Sequence, residues 1–297
     1  MSTGSLTPDS TCSKGVLSDE SGSVVVKPCT AREVAFYEAT QAHPEFARWV
    51  PTFLGTLTPD DSAVAAIGAA VETAPVNPHN RHSSLVLENV ACGFSKPCVL
   101  DAKLGAQLWD EFAPQEKRDR LDAVSDATTS GSLGFRVAGM KVWKGDKDGY
   151  KVYDKLYGRV FTADNVIDAF KEYFASGLEP EQVRIVVGRL LAKVGEIREM
   201  LEGQESRMYS ASLLFVFEGD GKAFQQALED EKNRKPEPDD DDDEDEDGED
   251  DEDEEVKKVE ALKLIDFAHA DWTPGQGPDE NALQGVRSVE KLLAQLA

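Results

Sequence analysis

Apolar and polar positions along this chain repeat with two different periods, and the changes of period mark its elements. The first apolar run, "SVVVKPC" from Ser23 to Cys29, is short and β-branched and is stopped at Pro28, which predicts a strand. The preceding "SDESG" has the composition of a tight turn, so "GVLS" (Gly15 to Ser18) is the expected hairpin partner. "TAREVAFYEATQAH" predicts a helix, with Thr30 as N-cap and Glu33 three residues on. Pro51 and Gly55 break "FARWVPTFLGTL" into a short element and then a strand. Thr58 to Arg81 is rich in Ala, Pro and Asn and reads as loop with at most a helical turn. "SSLVLENVACGF" is the next strand, with a polar exit at Glu88 and Asn89.

The second part is richer in helices. In "DEFAPQEKRDRLDAVSDAT" Pro114 suits a first helical position. Lys117, Arg120, Leu121 and Val124 fall at i, i+3, i+4 and i+7, a face basic in its first turn and apolar later. "GSLGFRVAGMKVWKG" has strand composition interrupted by glycines. Val166, Ile167, Phe170, Tyr173 and Phe174 make one helical stripe ended by Gly177. A longer helix starts at Pro180, carries Val183, Val187, Leu190, Leu191, Val194, Ile197 and Leu201, and stops at Gly203. Both stripes read most simply as core. "MYSASLLFVFEGDG" is a strand ending in a Gly-Asp-Gly turn, and "VEALKLIDFAHADW" is another with a carboxylate at its exit. Leu283, Val286, Val289, Leu292, Leu293 and Leu296 give a closing amphipathic helix. Strands first, helices later and strands returning predict an α+β, two-lobed protein.

Charge changes this picture in one place. The formal net charge is −25 over 297 residues, but 239–255, "DDDDDEDEDGEDDEDEE", holds 16 acids and no base. Outside it 41 acids face 32 bases, so the remainder is only mildly acidic, and direct nucleic-acid binding is not expected. Cys12, Cys29, Cys92 and Cys98 show no C-x-x-C spacing, and the four histidines form no H-x-x-x-H pair, so neither zinc nor disulfides are expected. The polar start lacks a signal-peptide core, and no apolar run reaches membrane-spanning length. A soluble intracellular monomer is the expectation.

Four pieces carry candidate chemistry. They are a strand-ending lysine (Lys27), a polar strand exit (Glu88, Asn89, Val90), the pair Asp101 and Lys103 in "PCVLDAKLG", and Asp266 in "IDFAH". Phosphoryl transfer needs a cation on the nucleotide phosphates, a carboxylate for Mg²⁺ and a positive group beside the transferred phosphate. Singly, a strand-end lysine is a solvated group and a D-x-K pair a surface ion pair. Their order along the chain gives them weight. In an extended segment Asp101 and Lys103 face the same side.

"PCVLDAKLG" matches the P-x-x-x-D-x-K-x-G signature of the inositol polyphosphate kinase family, with Pro97, Asp101, Lys103 and Gly105 in place. The resemblance continues through "SGSVVVKP", "AREVAFYE", "LVLENV", "LGFRVAGM", "LYGRVFT", "SASLLFVFEG" (Ala211 where a serine is common) and "LIDFAHA". Within the family the chain most resembles the fungal multikinases; the hexakisphosphate kinases and trisphosphate 3-kinases are the nearest rivals. The resemblance implies a protein-kinase-like (ATP-grasp-like) fold with a helical inositol-phosphate-binding insertion. It implies an N-lobe over 1–90 and a C-lobe over 91–297, with the insertion at 106–130 and a disordered acidic loop at 236–256. It implies ATP and Mg²⁺ as cofactors and inositol phosphates as substrates. No G-x-G-x-x-G is present, so the "GVLSDESGSVV" hairpin would cover the phosphates.

By the same resemblance Lys27 contacts ATP phosphates with Glu33 as ion-pair partner, and Glu88 and Val90 present backbone groups to adenine. Asp101 lies near nucleotide and reaction centre, as base or as ribose ligand. Lys103 bridges the γ-phosphate and the inositol substrate. Asp266 holds Mg²⁺, Ser212 lies near the metal-phosphate end, and His269 sits near substrate or is a satisfied half-buried histidine. Lys117 matches a substrate lysine. Arg120 stands where multikinases often carry a polar residue, and the ordinary reading of both cations is a solvated helix face. Clustered donors near a helix N-terminus nevertheless suit a polyphosphorylated ring. The acidic tract is either a self-repelling loop or a docking segment for basic nuclear proteins, with residence in nucleus and cytoplasm expected.

Overall fold

The computed structural model describes residues 7–8, 17–19, 21–57, 84–233 and 256–297. The loop expected at 58–81 and the acidic loop expected at 236–256, apart from its last residue, lie outside them. Two five-stranded antiparallel sheets organise these residues. The first has the order β1 (Thr7–Pro8), β2 (Leu17–Ser18), β3 (Val24–Pro28), β5 (Ser84–Glu88), β4 (Phe53–Leu57). The expected hairpin is present, with Leu17 opposite Val26 and Ser18 opposite Val25. Helix α1 (Ala31–Ala39) follows β3, its first turn capped by Thr30, whose hydroxyl accepts from the Glu33 N–H at 3.2 Å. The short element is α2 (Pro44–Ala47).

The second sheet runs β11 (Glu260–Ile265), β10 (Ser212–Glu218), β6 (Pro97–Leu104), β7 (Phe135–Trp143), β8 (Tyr150–Tyr153). Strand β6 is central, and its two faces differ. Cys98, Leu100, Ala102 and Leu104 are each 0% exposed and belong to the main core. Val99, Asp101 and Lys103 share the other face with Val216, Leu214 and Ser212, their direct neighbours on β10. Along this face Val99 and Val216 join Val90 in a small separate apolar cluster, and the charged pair follows. The glycines expected to interrupt β7 leave a continuous nine-residue strand with a register shift opposite Asp101 and Ala102.

Helices cover the core face. Helix α3 (Gln115–Asp126) and α4 (Thr129–Leu133) follow β6; α5 (Lys155–Gly158), α6 (Ile167–Phe174) and α7 (Pro180–Glu202) follow β8; α8 (Gly221–Asn233) follows β10; α9 (Glu280–Ala294) closes the chain. A two-stranded ribbon pairs β9 (Ser206–Met208) with β12 (Ala270–Trp272). The two stripes read as core are core: Val166, Phe170, Tyr173 and Phe174 at α6 and Val187, Leu190, Val194, Ile197 and Leu201 of α7 are buried, with Ile167, Val183 and Leu191 half-buried against them. Leu283, Val286, Val289 and Leu293 of the amphipathic α9 are buried too. The α+β class read from the pattern holds.

Two details correct the sequence reading. Pro114 is the N-cap of α3 (φ −58°, ψ 152°) and not its first residue, because its extended ψ cannot continue a helix. The later turns of α3 are also less apolar in effect than their spacing suggested. Leu121 and Val124 are only half-buried, and Ser125 is the buried residue, donating to the Ala106 carbonyl at 2.6 Å. Helix α3 therefore lies on the surface.

The motif glycine has a local reason. Gly105 has φ +94°, and a Cβ there would sit 2.6 Å from Asn281 Nδ2. Asn281 Oδ1 accepts from the N–H groups of Ala106 and Gln107, each at 2.9 Å. The chain thus turns out of β6 onto the start of α9, which only glycine permits without strain.

Candidate active site

Lys27 closes β3 and Asp266 follows β11, so the two sheets each deliver one charged end group. Lys27 Nζ donates to Asp266 Oδ1 at 2.7 Å and to Glu33 Oε1 at 2.9 Å. Glu33 is buried on α1, so the lysine is held from two sides, and its pKa is raised. Burial alone would lower it; the two carboxylates reverse the sign.

Lys103 approaches from β6. Its Nζ donates to the Ser210 carbonyl at 2.8 Å, to Ser212 Oγ at 3.1 Å and to Asp266 Oδ2 at 3.4 Å. Ser212 is completely buried at the start of β10, directly opposite Lys103. Asp266 is held at about pKa 2: burial would raise it, but Lys103 and Lys27 outweigh that. Its backbone is left-handed (φ 68°). The next residue, Phe267, is 0% exposed and packs on Phe36 and Tyr37 of α1, with ring centroids at 4.8 and 5.3 Å. Burying a phenylalanine contributes about 2–3 kcal/mol, whereas a left-handed non-glycine residue costs about 1–2 kcal/mol. The anchored ring therefore decides the conformation, and Asp266 is turned up between the two lysines.

Asp101 lies beside this cluster. Its Oδ1 is buried without a hydrogen-bond partner among the described residues. Burial chiefly, and the neighbouring Asp266 charge, raise its pKa, while Lys103 opposes them. Two adjacent carboxylates are thus driven apart, one firmly ionised and the other pushed upward.

At the exit of β5 the Glu88 N–H donates to Thr52 O at 2.9 Å, and the Glu88 carboxylate accepts from the Thr52 N–H and hydroxyl at 3.2 and 3.1 Å. Val90 is buried, and its backbone N–H and C=O have no hydrogen-bond partner among the described residues. The apolar cluster of Val90, Val99 and Val216 lies below it. Free backbone groups over an apolar floor suit the edge and face of an aromatic base.

On the far side, His269 Nδ1 lies 2.7 Å from Asp110 Oδ2, and Lys117 Nζ 3.3 Å from His269 Nε2. Lys117 and His269 are thus brought together. Arg120 is not joined to them: it is exposed on α3, with no side-chain partner among the described residues. Asp110 and Arg32, which bonds it, were missed by the sequence reading. Their partners lie far off in the chain, and neither sits in a spacing motif.

The residues present fit a divalent cation. Among the described residues no three or more His, Cys, Asp or Glu are grouped to hold a metal unaided. Asp266, with Ser212 near it, offers hard oxygen donors. This suits Mg²⁺, which takes one or two carboxylates and completes its shell with phosphate oxygens and water.

An α+β fold with a lysine–glutamate pair at one sheet and a carboxylate at the exit of the other defines a kinase-like phosphotransferase. The chain belongs to the inositol polyphosphate kinase family, whose profile, described as "Inositol polyphosphate kinase", matches residues 84–294. The inositol polyphosphate multikinase of Saccharomyces cerevisiae is 36% identical, over 93% of this chain and 93% of its own. That of Schizosaccharomyces pombe is 31% identical over 95% and 93%. Rat inositol hexakisphosphate kinase 1 is 30% identical over 71% of this chain and 51% of its own. The crystal structure of the S. cerevisiae inositol phosphate multikinase in complex with ADP and Mn²⁺ superposes with a TM-score of 0.72 at 33% identity, covering 92% of this chain and 99% of that one.

Proposed function

We propose that this chain is an ATP- and Mg²⁺-dependent multikinase that phosphorylates soluble inositol tris- and tetrakisphosphates toward the pentakisphosphate. The observation that carries the reading is the placing of Lys103. It shares Asp266 with Lys27 on one side and has Asp101 beside it on the same strand face. Similarity to two multikinases over more than nine-tenths of each chain supports it.

In this reading 1–90 form the nucleotide lobe and 91–297 the second lobe, with the substrate helix inside 106–130. Val90 and the Glu88 carbonyl meet adenine, and Lys27 grips the nucleotide phosphates. Asp266, assisted by Ser212, holds Mg²⁺, which when bound neutralises phosphate charge. Lys103 stabilises charge developing on the transferred group. Lys117, with His269 beside it near the substrate, holds a ring phosphate, and Arg120 reaches for another from solvent. The Asp101 carboxylate, beside Lys103 and Asp266, accepts a hydroxyl proton or hydrogen bond, from the acceptor alcohol or from ribose. The acidic tract is a self-repelling loop or, in the second reading, a docking segment for basic nuclear proteins, with the enzyme shared between nucleus and cytoplasm.

The test is product analysis with ATP, Mg²⁺ and inositol tris-, tetrakis-, pentakis- and hexakisphosphate in turn. The reading expects turnover of the tris- and tetrakisphosphates. Preferential turnover of hexakisphosphate would move the chain to pyrophosphate formation.

A further inference from the structure

We infer that Asp110 is a positioning residue for the substrate side of the site: it fixes the tautomer and direction of His269 toward Lys117, and through Arg32 it ties that pair to helix α1. The inference rests on the proposed reading of Lys117 and His269 as substrate-facing groups.

Asp110 lies in the segment between β6 and α3 and is 3% exposed. Each of its oxygens is engaged. Oδ2 accepts from His269 Nδ1 at 2.7 Å and from Arg32 Nη1 at 2.5 Å, while Oδ1 accepts from the Phe112 N–H at 3.2 Å. Burial works against its charge, but the bonds from His269 and Arg32 win and hold it below the usual carboxylate range. An ionised carboxylate can only accept, so Nδ1 of the neutral imidazole must carry the proton. Nε2 is then left as the acceptor, and the ammonium of Lys117 stands 3.3 Å from it. A carboxylate behind a histidine sets which ring nitrogen faces the working side.

Arg32 extends the arrangement. Its guanidinium also pairs with Asp271 of β12. Its neighbour Glu33 holds Lys27. Two consecutive residues of α1 therefore reach opposite sides of the site, Glu33 the nucleotide lysine and Arg32 the Asp110–His269–Lys117 row. Asp110 is buried and both of its oxygens are bonded within the protein, so its effect passes through His269.

Asp110→Asn keeps the shape and removes the charge. The expected result is a KM for inositol trisphosphate raised about tenfold, with kcat and the KM for ATP within about twofold. In a His269→Ala background the same change should alter that KM less than about twofold, since coupled groups are not additive. Nitrogen-resolved NMR of the wild-type full chain should show neutral His269 protonated at Nδ1, and the Asp110→Asn chain should lose that preference. The inference is overturned if wild-type neutral His269 is protonated at Nε2, or if Asp110→Asn raises the KM for ATP as much as that for inositol trisphosphate. The NMR result needs neither a variant nor turnover. A chain inactive on inositol phosphates would therefore sink the functional reading and still leave the Asp110–His269 arrangement decided.

Discussion

Lys103 donates to the carbonyl of Ser210 at 2.8 Å and to the carboxylate of Asp266 at 3.4 Å, and these two acceptors are the non-glycine residues with left-handed backbone among those described (φ 60° and 68°). Strained backbone is thus gathered around one ammonium, which is where such conformations are retained for function.

The first expected outcome concerns that strain. Asp266→Asn and Asp266→Ala both remove the charge shared by Lys27 and Lys103, but asparagine tolerates the left-handed region and alanine does not. The alanine variant should be less stable than the asparagine one by about 1 kcal/mol, read as the difference between their urea unfolding curves. Equal stabilities would mean that Phe267 does not hold Asp266 in this conformation.

The same carboxylate gives a pH dependence whose sign follows from its shift. Its folded pKa is about 2, below the ordinary 3.8. Its stabilising contribution is therefore complete above about pH 4 and is lost as pH falls through about 2. The stability advantage of wild type over Asp266→Asn should be constant from pH 7 to 5 and shrink steadily toward pH 2. Denaturation of both chains across that range measures it, and an advantage that grew on acidification would reverse the assigned sign.

Asp101 calls for a kinetic separation of roles. Asp101→Asn removes a carboxylate that lies beside Lys103 and Asp266. If it receives the proton of the attacking hydroxyl, kcat should fall about 10²-fold or more with the KM for ATP nearly unchanged. If it binds ribose, the KM for ATP should rise about tenfold with a smaller fall in kcat. Steady-state kinetics in both substrates decides between them, and unchanged constants would remove Asp101 from the site.

Local chemistry made much of this legible in the sequence. Thr30 announces α1 and, three residues on, the glutamate that holds Lys27. Alternation along "VLDAKL" placed Asp101 and Lys103 on one face, and β6 obeys it. Helix α8 was missed although Phe224, Ala227 and Leu228 are spaced for a buried helical face. Its acids, Glu229, Asp230 and Glu231, fall together near its end and run on toward the acidic tract that follows. The Gly-Asp-Gly read as a turn is its start, where Asp220 Oδ1 accepts from the Lys222 and Ala223 N–H groups at 3.0 and 2.9 Å. Strand β8, the β9–β12 ribbon and the Arg32–Asp110–His269 row carried no such signal. Short strands and charge pairs between distant segments are fixed by tertiary pairing, which no local period records.

In the proposed function Lys103 is the cation that the phosphoryl transfer cannot lose. Its direct test is Lys103→Ala, assayed for transfer from ATP to inositol trisphosphate alongside a check that the variant is folded. The expected result is a fall in kcat of about 10³-fold or more in a chain with wild-type secondary structure. A folded Lys103→Ala chain with activity equal to wild type would contradict it.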